Sequence, residues 1–178
     1  MKIVVVTSSP HSSKKSTSTF LADRFIDGAK SNGHDIFLFD AGHAKINPCR
    51  GCDHCGMDGD CVIDDDISRS LTQKLVECDL IVLVTPLYYF GVSAQLKIVI
   101  DRFYARTTRI SNKKSILLAT AWNSSAGTMD ALATHYRALV DYMHWTDLGA
   151  IYAVGCGYRS AVENSKFGDQ AFNLGKSL

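Results

Sequence analysis

No apolar run in this chain approaches the ~18 residues that a membrane-spanning helix needs. Met1-Lys2 leads straight into Ile3-Val4-Val5-Val6, too short for a signal-peptide core and better read as a first strand. Charge of one sign is also missing. The net charge is +1, and Lys14-Lys15 and Lys113-Lys114 are isolated pairs rather than a basic face. That excludes a nucleic-acid footprint. A hydrophobic content of 46% excludes disorder. The expectation is a cytoplasmic protein that binds neither membrane nor nucleic acid. The glycine signatures of phosphate binding, G-x-G-x-x-G and G-x-x-x-x-G-K-[ST], are absent after the first strand. Thr7-Ser8-Ser9 offers no acid there, which removes a phosphoacceptor signalling domain. There is no internal repeat, low-complexity segment or linker, so residues 1–178 read as one domain.

What is present is alternation. Strand-like runs stand at 2–7, 35–40, 79–85, 115–121 and 148–154. Helical patterns stand at about 17–32, 67–77, 93–105, 126–143 and 164–176. Leu80 to Val84 is continuously apolar, the mark of a parallel strand buried on both faces. Asn32-Gly33 stops the first helix, and Asp64-Asp65-Asp66 offers a cap to the second. Five β-α units predict an α/β doubly wound, five-stranded parallel sheet in the order 2-1-3-4-5. The stretch 41–63 is too long for an ordinary connection and forms a cysteine-rich insertion.

Ligands of such sheets bind beyond the strands' carboxyl ends. Three loops there carry suitable chemistry. The third strand breaks at Thr85-Pro86, and Leu87, Tyr88, Tyr89, Phe90 and Gly91 follow, suiting a flat aromatic ligand with polar edges. The first strand runs into Thr7 to Thr19, with Ser9, His11, Ser16, Ser18 and Thr19 ahead of or opening a helix, and Lys14 or Lys15 adds charge. Hydroxyls and free amides at a helix N-terminus form an anion site. Without the glycine turn, this loop suits a monophosphate such as FMN better than a pyrophosphate. After the fourth strand come Ala121, Trp122 and Asn123. Trp122 either flanks a ligand or joins the core, and Asn123 either meets a ring edge or caps a helix.

The remaining constellation is Cys49-x2-Cys52-x2-Cys55-x5-Cys61. Two-residue spacers let thiolates turn toward one centre, as in C-x2-C-x2-C iron–sulfur runs. A tetrahedral zinc site on four thiolates, or on three with His54, and a metal-free loop that is reduced or partly disulfide-bonded are the alternatives. Cys78 and Cys156 lie in strand regions and read as buried small hydrophobes.

Together these motifs resemble the flavodoxin-like NAD(P)H-dependent FMN reductase superfamily, especially its iron-sulfur flavoprotein branch, over nearly the whole chain. The most specific match is Pro86-Leu87-Tyr88-Tyr89-Phe90-Gly91-Val92-Ser93-Ala94-Gln95-Leu96-Lys97 with Asp101-Arg102. Ser9-Pro10-His11 and Ser18-Thr19 match the segment after the first strand, with His11 where relatives usually carry Arg. The cysteine run, followed by Val62 and Asp64 to Asp66, matches as well. The loop 122–128 lacks the paired glycines common in relatives. The resemblance implies FMN, NAD(P)H as a two-electron donor, and a homodimer or homotetramer. The phosphate of FMN is expected on 9–19 and its ring against 86–91 and 121–123. Electrons would pass from NAD(P)H to a quinone, a flavin or another small electrophile. The rival expectation is an iron-sulfur flavoprotein, with a [4Fe–4S] centre on the four cysteines, that carries electrons between protein partners. No side chain is required as an acid or base, because the flavin supplies the hydride chemistry.

Overall fold

The computed structural model describes residues 1–178. Five parallel strands form one sheet, β1 (Lys2–Thr7), β2 (Asp35–Asp40), β3 (Leu80–Pro86), β4 (Lys114–Thr120) and β5 (Thr146–Ala153), in the order β2-β1-β3-β4-β5. The central strands β1, β3 and β4 are buried on both faces, and alternate side chains divide between two cores. Val4, Val6, Ile81, Leu83 and Leu117 face one core; Ile3, Val5, Val82, Val84 and Leu118 face the other. A one-residue slip would exchange the two faces, so the pairing of Thr7 with Val84 and of Pro86 with Thr120 is firmly set.

Helix α1 (Thr17–Ser31) and the C-terminal helices α6 (Arg159–Glu163) and α7 (Phe167–Lys176) cover one face. The other is covered by a π-helical turn, Ile67–Leu71, running into α2 (Thr72–Glu77), and by α3 (Ala94–Arg102), α4 (Thr107–Ile110) and α5 (Asp130–Tyr142). Helices α1 and α7 lie so close that a Cβ on Gly28 would fall 2.0 Å from the Phe172 carbonyl oxygen.

The expected strands agree with these to within two residues, and the expected order is the observed one. Two helices differ. The pattern at 126–143 becomes helical only at Asp130, because Gly127 takes a left-handed φ of 78° in the turn before it. The segment at 164–176 is preceded by a separate short helix from Arg159, and Ser165 caps the break by accepting from the Phe167 amide (3.2 Å).

The connection from β2 to the π turn contains no strand or helix, yet it is pinned. Asp65 accepts from the amides of Asn47 (2.8 Å), Ile67 (3.1 Å) and Ser68 (3.3 Å), acting as the cap anticipated for 64–66. Arg102 pairs with the same carboxylate at 2.8 Å, both side chains 2% exposed. Burial pushes the Asp65 carboxyl up, but the Arg102 hydrogen bond, the amide donors and the guanidinium charge outweigh it and hold it below its ordinary value. Arg102 also donates to the carbonyls of Asn47 (3.1 Å) and Ile63 (3.3 Å), so one guanidinium ties both ends of the insertion to α3.

Candidate functional site

Strand β1 leads outward to β2 on one side, and the chain returns past it to β3 on the other. The switch point therefore lies between the carboxyl ends of β1 and β3. Short polar contacts fix the loops there. The Ser8 hydroxyl donates to the Val84 carbonyl (2.8 Å), and the Ser93 hydroxyl donates to the Ser8 carbonyl (3.2 Å). Ser93 also caps α3 by accepting from the Leu96 amide, and its own amide donates to the Thr85 hydroxyl (2.9 Å). Ser93 in the motif that ends at Arg102 thus joins three elements.

A cleft of about 430 Å³ opens at this point. The loop after β1 and the start of α1 contribute Ser9, His11, Lys14, Lys15 and Thr17 to its lining, and the loops after β3 and β4 contribute Pro86, Leu87, Tyr88, Ala121 and Trp122; they meet where the Thr17 hydroxyl donates to that of Thr120 (2.9 Å). The structure thus gathers the three loops expected from the sequence. It also separates their residues by role. Ser16 is the buried cap of α1, accepting from the Thr19 amide (3.0 Å), and the Ser18 hydroxyl is buried 3.4 Å from that of Ser16. Ser16, Ser18 and Thr19 therefore build the helix start, while Ser9 and Thr17 reach the wall. The amides of Thr17 and Ser18 meet no acceptor in the protein, as at any helix start without a bound anion.

Tyr88 and Gly91 exchange backbone hydrogen bonds, both 3.1 Å, across a tight turn. Its central residues, Tyr89 and Phe90, have φ of 46° and 66°. Asn-Gly is the usual solution for this geometry; two aromatic residues hold it here against a steric cost. Tyr89 is fully exposed and Phe90 half-exposed, and with Leu87, Trp122 and Asn123 they line a shallow adjoining cavity of about 260 Å³. Trp122 is not core: it is 73% exposed and its ring lies on Gly157, where a Cβ would fall 1.7 Å from Cδ1. The Asn123 side chain accepts from the Ser125 amide (2.9 Å) within its own loop.

Sequence reasoning missed the fourth wall, Cys156-Gly157-Tyr158-Arg159. The signal was available, since Gly155-x-Gly157 with a Tyr and an Arg follows a strand's carboxyl end. Burial pushes the Cys156 thiol up, which makes it a poor nucleophile.

The four cysteines of the insertion line a different cavity, of about 560 Å³, with His54, Ile100, Phe103, Leu139 and Tyr142 among its walls. It lies at the carboxyl ends of α3 and α5 and shares no residue with the cleft. Ion pairs Arg109–Asp58 (2.6 Å) and Arg106–Asp60 fix the loop, and the Tyr104 hydroxyl donates to Asp53 (2.5 Å). All four thiols are free, and no three such groups stand close enough together to hold a metal ion. The donor set is that of an iron–sulfur centre, but its geometry here does not converge, and the chemistry of the cleft stands without it.

The family model described as NADPH-dependent FMN reductase matches residues 1–158. The chain belongs to this family. An iron-sulfur flavoprotein of Methanocaldococcus jannaschii is 34% identical over 102 residues, 57% of this chain and 51% of that protein. One of Methanosarcina thermophila is 25% identical over 176 residues, 97% of this chain and 83% of that protein. The chain spans about half the length of several curated relatives it matches. An NAD(P)H:quinone oxidoreductase from Methanothermobacter marburgensis has the same fold, with a TM-score of 0.76, 18% identity and coverage of 99% of this chain and 96% of that one. The family's description names FMN and NADPH. The cleft suits FMN: cationic and hydroxyl groups line it from the loop after β1, and aromatic and aliphatic groups from the loops after β3 and β4.

Proposed function

We propose that the chain is an FMN-dependent NAD(P)H oxidoreductase that passes electrons to a small planar acceptor such as a quinone. One cleft that combines an anion site at the start of α1 with aromatic and aliphatic walls carries the reading. Ser9, Thr17 and the open amides of α1 would hold the phosphate, with the helix N-terminus adding favourable potential. Leu87, Tyr88, Ala121 and Trp122 would hold the ring. The bound flavin would supply hydride transfer; the protein supplies orientation and excludes water. Tyr89, Phe90 and Trp122 stand exposed at the mouth, where aromatic faces suit a flat electron donor or acceptor. The absence of any helix long and apolar enough to cross a membrane fits diffusing small-molecule partners.

One observation favours a second reading. Four free thiols line one cavity, and several relatives are named iron-sulfur flavoproteins. A chain that carries electrons between proteins would use both sites. Anaerobic stopped-flow mixing separates the two. The first reading expects NAD(P)H to bleach the flavin and a quinone to restore it, both at turnover rate. Flavin that stays oxidised with NADH and NADPH, yet is reduced by a protein donor, would reverse the choice.

A further inference from the structure

The anion site of the cleft holds four cationic or ionisable side chains, and one of them is already fixed. His11, Lys14 and Lys15 are exposed on the loop before α1, and neither ammonium meets a partner in the protein. Arg159 reaches the same wall from the first residue of α6. Its Nη1 donates to the carbonyls of Ser13 (2.7 Å) and Ser16 (3.2 Å). Its Nε donates to Glu163 (2.6 Å), and its central carbon stands 4.7 Å from the centre of the Phe20 ring. Nη2 is left without a protein partner. A guanidinium held this way has little side-chain freedom left to lose when it meets an anion. Its contacts also occupy two loop carbonyls that would otherwise repel an anion beside the free amides of Thr17 and Ser18.

We infer that Arg159 is the phosphate-binding arginine of this protein, closing the anion site of the cleft from α6 and meeting the FMN phosphate through Nη2. The inference rests on the reading of the cleft as an FMN site. It gives the site a guanidinium, with its fixed fork of donors, which the loop at 9–19 does not contain. It also gives the segment after β5 a binding role alongside its packing role.

The test is titration of flavin-free protein with FMN and, separately, with riboflavin, in the parent, Arg159→Gln and Arg159→Lys. A charge-assisted contact to phosphate predicts that R159Q weakens FMN about 10- to 100-fold while riboflavin is unchanged. R159K keeps the charge but not the fork, and should recover part of the loss. If R159Q does not fold, R159K against the parent still reads the same preference. Equal weakening of both flavins would overturn the assignment, leaving Arg159 as a clamp on the loop. So would unchanged FMN affinity with a raised KM for NADPH but not for NADH, which would place the guanidinium on the nucleotide's phosphate. A parent that prefers FMN, with variants that keep the preference, overturns the role of Arg159 alone. A parent that binds neither flavin overturns the cleft reading and this inference with it.

Discussion

Arg102 and Asp65 show at the scale of single residues how one buried contact away from the cleft holds the fold together. A buried charge pair adds little beyond an apolar pair of the same size, but removing one partner strands the other, at a cost of about 3–5 kcal/mol. Asp65→Asn and Arg102→Met should each destabilise by that order in urea unfolding near neutral pH. The pH dependence has a definite sign. The folded Asp65 pKa is depressed, so its contribution is complete above the ordinary value of 3.8 and fades as the pH falls below it. The gap between parent and D65N should therefore narrow in acid; a gap that widens would show that Asp65 is not ionised in the fold. Thr17 and Ser18 make a second contrast. Thr17 lines the cleft and Ser18 is buried behind it. The Thr17 hydroxyl donates to that of Thr120 (2.9 Å) and would turn to the phosphate on FMN binding, so Thr17→Ala should weaken FMN by about 1.5–3 kcal/mol and riboflavin much less. Ser18→Ala should weaken both alike through the helix start, and the same pair of titrations checks it.

Among the elements, the turn at 88–91 departs furthest from local preference. Two aromatic residues in left-handed backbone cost on the order of 1–2 kcal/mol each relative to glycine. Phe90→Gly should therefore raise stability by about 1 kcal/mol in chemical denaturation while impairing reduction by NAD(P)H. Equal or lower stability would mean that Phe90 packs to advantage where it stands. This turn also marks where the sequence stops being legible. Leu80 to Val84 announced a buried strand, and Pro86 announced its end, because both follow from local sterics and burial. Nothing local shows that Tyr89 and Phe90 adopt positive φ, since composition argues against it. Helix α6 was missed for a related reason: its residues pack through Arg159 on Phe20 and on the 13–16 loop, contacts that span the chain. Ser18 reads in the sequence as a phosphate ligand because hydroxyls at a helix start read alike; that it is buried beside the cap Ser16 only the structure reveals.

The whole molecule holds two chemically distinct cavities at opposite ends of its helices, sharing no lining residue. The cysteine run was legible as a cluster of donors, and the structure places all four around one cavity. Its occupant was not legible, because spacing permits convergence without enforcing it. Replacing Cys49, Cys52, Cys55 and Cys61 together with serine should leave FMN content unchanged and remove any iron; loss of FMN would show that the two ends are coupled. The fold itself followed from periodicity and burial, and the cleft from the topological switch point. The central claim is that the cleft between the loops after β1, β3, β4 and β5 binds FMN. Its most direct test is the flavin released when purified protein is denatured, identified by chromatography and counted against chain. The account predicts one FMN per chain, recovered after removal by adding FMN back. Colourless protein that takes up no FMN on reconstitution would contradict it.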